Sequence, residues 1–205
     1  MLALTVLFVS YCLWPSTETA GVSEVDVKIR PLTTIIYLAS YATHFGAMIW
    51  MTFVSGLALY FSLPRHTFGK CQEILFPKYF KLSSVLSAVT LITFVKINTN
   101  MYDMHSVVQL IMLSVCLLME MIIVLYFTKP LLKLMKQKYM FEERAGNGKE
   151  IGHQLRLGNL MHCPQYQKVH KQFRRVHVHC TIGNMLALVC TFVHLHYLAS
   201  KIVLV

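Results

Sequence analysis

Two polar side chains stand where a lipid-facing sequence would not carry them. Glu120 lies in the run 104–127 and Asn184 in the run 176–198, each otherwise rich in apolar residues. A carboxyl group in hydrocarbon costs about 2.5–3.5 kcal/mol on the insertion scale, so Glu120 must face protein. Counted from the ends of their runs, both residues lie roughly 10–12 Å from the same face, at about 1.5 Å per residue. Thr52 and Ser55 come near that depth and His177 lies closer to the surface, which predicts a buried polar layer. Three chemistries fit it: interhelical hydrogen bonds of about 1 kcal/mol or less, a transport path, and a proton relay. His44 sits deep in an earlier run and is expected in a second layer, with Tyr37, His194 and His196 near the opposite face.

The chain has ten histidines and six cysteines. His177 with His179, and His194 with His196, have the look of chelating pairs. On a helix, residues two apart point in nearly opposite directions, so one of each pair faces inward. A haem or metal redox centre would have to use that one face. His153, His162, Cys163 and His170 match no zinc-site spacing, and no metal is expected there. Cys116, Met119, Cys180 and Cys190 offer soft donors for a soft-metal path, although Met usually serves as packing. No nucleophile motif, phosphate loop or catalytic triad pattern is visible. No enzymatic activity and no cofactor are therefore expected.

These residues are held by an unusually apolar chain. Of 205 residues, 56% are hydrophobic and 14% charged, against roughly 45–50% and about 25% in soluble domains. Four runs, about 35–61, 79–97, 104–127 and 176–198, have the length of roughly 17–25 residues that a bilayer-spanning helix needs. The second needs Lys81 and Lys96 to reach opposite interfaces. Small residues four apart (Ala42 and Gly46, Thr52 and Gly56, Ser83 and Ser87, Gly183 and Ala187) favour close helix packing. The expected fold is all-α: an integral membrane four-helix bundle over 35–198. A shorter apolar run, ending in Pro15 and small residues, reads as a signal peptide over 1–20.

The formal charge of +10 is sorted along the chain. Loops 62–81 and 129–175 carry most of the lysines and arginines, and they fall on one side of a four-span protein. Such loops stay cytosolic, so the termini are expected on the lumenal or extracellular side, in an endomembrane or the plasma membrane. The basic excess thus becomes orientation information, and no nucleic-acid partner is expected. Contact with anionic lipid headgroups suits Lys129, Lys133, Lys136 and Lys138. Their near-helical spacing predicts a helix running along the surface, broken at Gly146-Asn147-Gly148.

One set of residues carries a resemblance. Trp50-Met51-Thr52-Phe53-Val54-Ser55-Gly56, then Pro64-Arg65-His66-Thr67-Phe68-Gly69, then Phe76-Pro77 closely resemble the transmembrane protein 205 family. Pro130, Glu142-Glu143-Arg144 with Gly146, and Phe173 with His177 and Asn184 are weaker matches. Tyr37 and Val124 depart from the pattern, where His and Asn are expected. The resemblance implies a small four-span membrane protein of a family without an established biochemical activity, and a structural or interaction role is expected. It also implies a link to soft-metal or xenobiotic resistance of the cisplatin type. Physically, Pro64 must end the first helix. Thr67 to Gly69 are expected to shape a turn, and Phe76-Pro77 to begin the return.

Overall fold

The computed structural model describes residues 24–98, 103–152 and 158–201. The expected signal peptide and His153 lie outside them. Helix α1 spans Glu24–Ile49, passes through a π-helical segment Trp50–Ser55, and continues as α2, Gly56–Ser62. Helix α3 is Arg65–Ile97 and α4 is Met104–Ile122. A second π-helical segment, Ile123–Phe127, leads into α5, Thr128–Arg144. A 3-10 turn, Gly158–His162, precedes α6, Pro164–Lys201. Among the described residues, four continuous stretches (Pro31–Ser62, Arg65–Ile97, Met104–Arg144 and Pro164–Lys201) are long and apolar enough to cross a membrane.

The radial distribution of side chains is that of a bundle in lipid. Large apolar groups such as Ile35, Phe53, Leu57, Val85, Ile111, Ile182 and Val189 point outward and are exposed in the isolated chain. Polar groups point inward: Ser40, His44, Ser83, Ser87, Thr90, Gln109, Glu120, Thr191 and His194 are all buried. Lipid tails satisfy the first set, and only protein partners can satisfy the second. Helix α3 packs along α1 and α4, and α6 packs along α4 and α5.

The small-residue pairs divide. Ser83 and Ser87 lie buried on α3, and Gly183 meets Ile123 while Ala187 is fully buried. Ala42 and Gly46 face outward, and a side chain at Gly46 would meet nothing. That pair therefore does not serve helix packing within this chain.

Two loop expectations are corrected. Ser62 does end α2, with Leu63 extended and Pro64 preceding the next helix. But the chain turns within two residues, and 65–81 is the start of α3 rather than a loop. Pro64 supplies a fixed backbone angle just before the first helical residue, a position where its missing N–H costs nothing. Pro77 lies inside α3; a helix packed among others tolerates the single lost hydrogen bond. Thr67 to Gly69 therefore shape a helix face, and no return begins at Phe76-Pro77. Likewise 129–175 is not one loop. It is α5, a connection, and the first turns of α6. Helix α5 carries Lys129, Lys133 and Lys136 on an exposed side and ends before the turn at Gly146, as its spacing predicts.

Candidate functional site

Three polar clusters cross the bundle, and a fourth closes its basic end. The deepest is a contact between α1 and α4: His44 Nε2 lies 2.5 Å from Glu120 Oε1, and both residues are buried. Glu120 Oε2 is buried with no hydrogen-bond partner. Cys116, one helical turn before Glu120, completes a trio whose donor atoms all lie within 4.8 Å of one another. Its Sγ–H reaches the Ala187 carbonyl at 3.7 Å. Met48 and Cys190 are buried in the same cluster, with Met112 and Met119 packed against it.

The second cluster lies toward the basic end. Tyr79 donates to Asn184 Oδ1 at 2.8 Å, and Asn184 Nδ2 donates to Thr52 Oγ1 at 3.1 Å. The third lies toward the other end. Tyr37 Oη and His194 Nε2 are 2.6 Å apart, and His194 Nδ1 meets Gln109 Oε1 at 2.9 Å.

The expected layers are thus redrawn. Asn184 and Thr52 do meet, and Tyr79 beside them lies near enough to feel the Glu120 charge. The Glu120 carboxyl itself bonds to His44, which was expected in the outer layer. Eight residues, roughly 12 Å of helix, separate Thr52 from His44. Tyr37 and His194 do share the outer layer, while His196 faces outward. Both ring nitrogens of His194 are engaged, by Tyr37 and Gln109. Ser55 makes no bond in these clusters. His177 stacks on Phe173, with ring centroids 5.7 Å apart. Gln72 and Gln109 were not singled out from sequence. The recurrence of Arg65, Gln72, Phe76, Tyr79 and Ser83 on one face of a helix is the signal that could have found Gln72.

The fourth cluster gathers the family-motif residues. Arg65 Nη1 donates to Glu142 Oε2 at 2.7 Å, and its Nε donates to Glu150 Oε1 at 2.8 Å. His66 Nε2 lies 3.0 Å from Glu142 Oε2, and Tyr166 donates to Glu142 Oε1 at 2.8 Å. Lys138 Nζ stands 3.6 Å from Glu142, whose side chain is wholly buried. Backbone bonds from Arg65 N to Glu150 O and from His66 N to Gly148 O bind the connection to the start of α3. Gly148 has φ +109°, and the His66 ring occupies the place of its missing Cβ. Gly69 leaves room in the same way for the Tyr139 ring. The Pro64-Arg65-His66 and Glu142 motifs, 77 residues apart, are therefore two halves of one lock.

The lock lies among charged residues, beyond the apolar runs, and it has an electrostatic signature. Burial would push the Glu142 carboxyl up, but Lys138, His66, Tyr166 and Arg65 outweigh it and hold it below the ordinary 4.5. A carboxyl whose folded value is depressed stabilises the fold fully above its unfolded value. That contribution is lost as pH falls through the folded value. Thermal unfolding of the purified protein should therefore change little through Glu142 between pH 7 and 5. It should drop steeply below about 4.5, and Glu142→Gln should flatten that drop. A drop of equal steepness in the variant would show that other carboxyls control acid stability.

Comparisons with known proteins bear on the same residues. A family model described as a domain of unknown function, DUF4149, matches residues 39–140. Transmembrane protein 205 of Danio rerio is 25% identical over 173 residues, covering 82% of this chain and 92% of that protein. No solved structure matches the chain significantly. Four membrane-length helices, the motif and both matches agree: this is a multi-pass membrane protein similar to the transmembrane protein 205 family.

Proposed function

We propose that this protein carries a divalent metal ion of borderline or soft character, bound within the membrane by His44, Cys116 and Glu120. The observation that carries the reading is the buried trio with its donor atoms within 4.8 Å. Nitrogen, sulfur and carboxylate oxygen are all donors that Zn²⁺ accepts, and three protein ligands leave a position open for exchange. Charge favours a dication. One thiolate and one carboxylate neutralise two positive charges, so the loaded site has no net charge in a low-dielectric interior. Ligation needs a thiolate, a carboxylate and a free imidazole nitrogen, so protons leave as the metal enters. Exchange of one dication for two protons keeps the site electroneutral. Met48, Met112, Met119 and Cys190 share the core cluster of Cys116 and offer further soft donors. This agrees with the soft-metal link that the family resemblance implies.

The reading extends to orientation. Exposed Lys129, Lys133 and Lys136 on α5 support a cytosolic basic end in contact with anionic headgroups.

The test uses the full chain in lipid nanodiscs. Metal bound after gel filtration is measured by mass spectrometry, and proton release is measured in weak buffer. About one Zn²⁺ and about two protons per chain are expected, and Cys116→Ser and Glu120→Gln should each weaken binding at least about 10-fold. Equal trace binding by wild type and both variants would overturn the reading.

A further inference from the structure

A cavity of about 540 Å³ opens in the basic half of the bundle, between α2, α3, α5 and α6. A second, of about 250 Å³, continues it toward Asn184, Thr52 and Tyr79. The two share Gly56, Phe68, Gln72, Phe76, Leu131 and His177 as walls. The volume falls in the roughly 300–1,000 Å³ range of small-molecule sites. None of the residues of the metal trio lines it.

Two features define what it takes. The first is unfilled hydrogen-bonding capacity. Gln72 is 4% exposed, lines both parts of the cavity, and its side-chain Oε1 has no partner. His170 Nδ1, on the wall of the larger part, is buried and also unpartnered. A buried polar atom left unmade costs about 1–3 kcal/mol, so an occupant that reaches it is favoured. The second feature is charge. The cations at the mouth are Arg65 and Lys138, and both already face carboxylates: Arg65 meets Glu142 and Glu150, and Lys138 meets Glu142. Among the described residues, each cation that lines the cavity is thus charge-balanced by a carboxylate, which disfavours a phosphate or a fatty-acid carboxylate. The remaining walls are aromatic and aliphatic, from Leu57, Phe68, Phe76, Leu131, Met135 and Phe173.

From these we infer that the cavity binds a neutral lipid bearing a hydroxyl group. The hydroxyl, which both donates and accepts, meets Gln72, and the apolar body lies against the Phe68, Phe76 and Leu131 walls. Sterols and monoacylglycerols share this chemistry. The family motif then has a second use. Gly56, Phe68 and Phe76 shape the walls of a site whose roof is the Arg65–Glu142 lock.

Equilibrium binding to the purified full chain in detergent tests this, with four radiolabelled probes: cholesterol, monooleoylglycerol, oleate and lysophosphatidate. Saturable binding of one molecule per chain is expected for cholesterol or monooleoylglycerol, and whichever binds identifies the source. Both anionic probes should bind at least 10-fold more weakly. Gln72→Leu should weaken binding of the neutral probe about 10-fold while keeping or raising the melting temperature, because it removes the unpartnered amide. Leu57→Trp should block binding by filling the cavity. Anionic probes binding as well as neutral ones would overturn the inference. So would neutral binding that is unsaturable, or unchanged in a folded Gln72→Leu protein.

Discussion

Glu142→Ala will destabilise the protein by about 3–5 kcal/mol, the cost of stripping one partner from a buried ion pair. Glu142 has no exposed surface, and it receives Arg65, His66, Tyr166 and Lys138. Removing it leaves Arg65 with Glu150 alone. It also takes the carboxylate away from the Tyr166 hydroxyl and from a lysine whose side chain is 12% exposed. Exposed Glu143, the next residue, is the control, and Glu143→Ala should change stability by less than about 0.5 kcal/mol. Reversible unfolding in mixed detergent measures both. A Glu142→Ala cost as small as that of Glu143→Ala would mean that water replaces the lost carboxylate and that the lock is not dry. The double variant Arg65→Met with Glu142→Leu should recover part of the loss, because apolar pairs of similar volume often match a buried ion pair.

His44→Leu should cost about 3 kcal/mol for a related reason in a different medium. It leaves Glu120, 2% exposed, with neither carboxylate oxygen partnered. No water replaces the imidazole at that depth, and a lone carboxyl in hydrocarbon costs about 2.5–3.5 kcal/mol. Adding Glu120→Leu to His44→Leu should restore most of the stability. Two losses that simply add, with no recovery in the double variant, would show that His44 and Glu120 act independently. The cycle separates the contact from its use in metal exchange. The double variant should fold while binding no Zn²⁺.

The four spans were legible because hydropathy and length depend only on local composition. Helix α5 was legible because Lys129, Lys133 and Lys136 recur at helical spacing and Gly146 stops them. The joining of Asn184 to Thr52 followed from counting depth. Other features were not legible, each for a physical reason. Pro64, Gly69 and Pro77 are breakers in isolation. Here one of them sits before a helix start, one makes room for the Tyr139 ring, and one is held by packing. The pairing of His44 with Glu120 joins two spans across the bundle, and no spacing within either span reveals it. The π-helical segments Trp50–Ser55 and Ile123–Phe127 rotate the faces of their helices, so periodicity read on one side does not carry to the other. The lock joins residues far apart in sequence, and no spacing rule connects Arg65 to Glu142.

That separation sets an order of events when the chain is made. Synthesis runs from the N-terminus, so Arg65 emerges 77 residues ahead of Glu142. For that interval Arg65 is an unpaired cation at the junction of the first two spans. It is then available to whatever sorts charge across the membrane. Once α5 and the connection are complete, Glu142 and Glu150 neutralise it, and the same side chain fastens the finished bundle. One residue is thus a lone cation in the nascent chain and a clasp in the finished bundle. A defect in α5 would leave the first two spans inserted but unfastened.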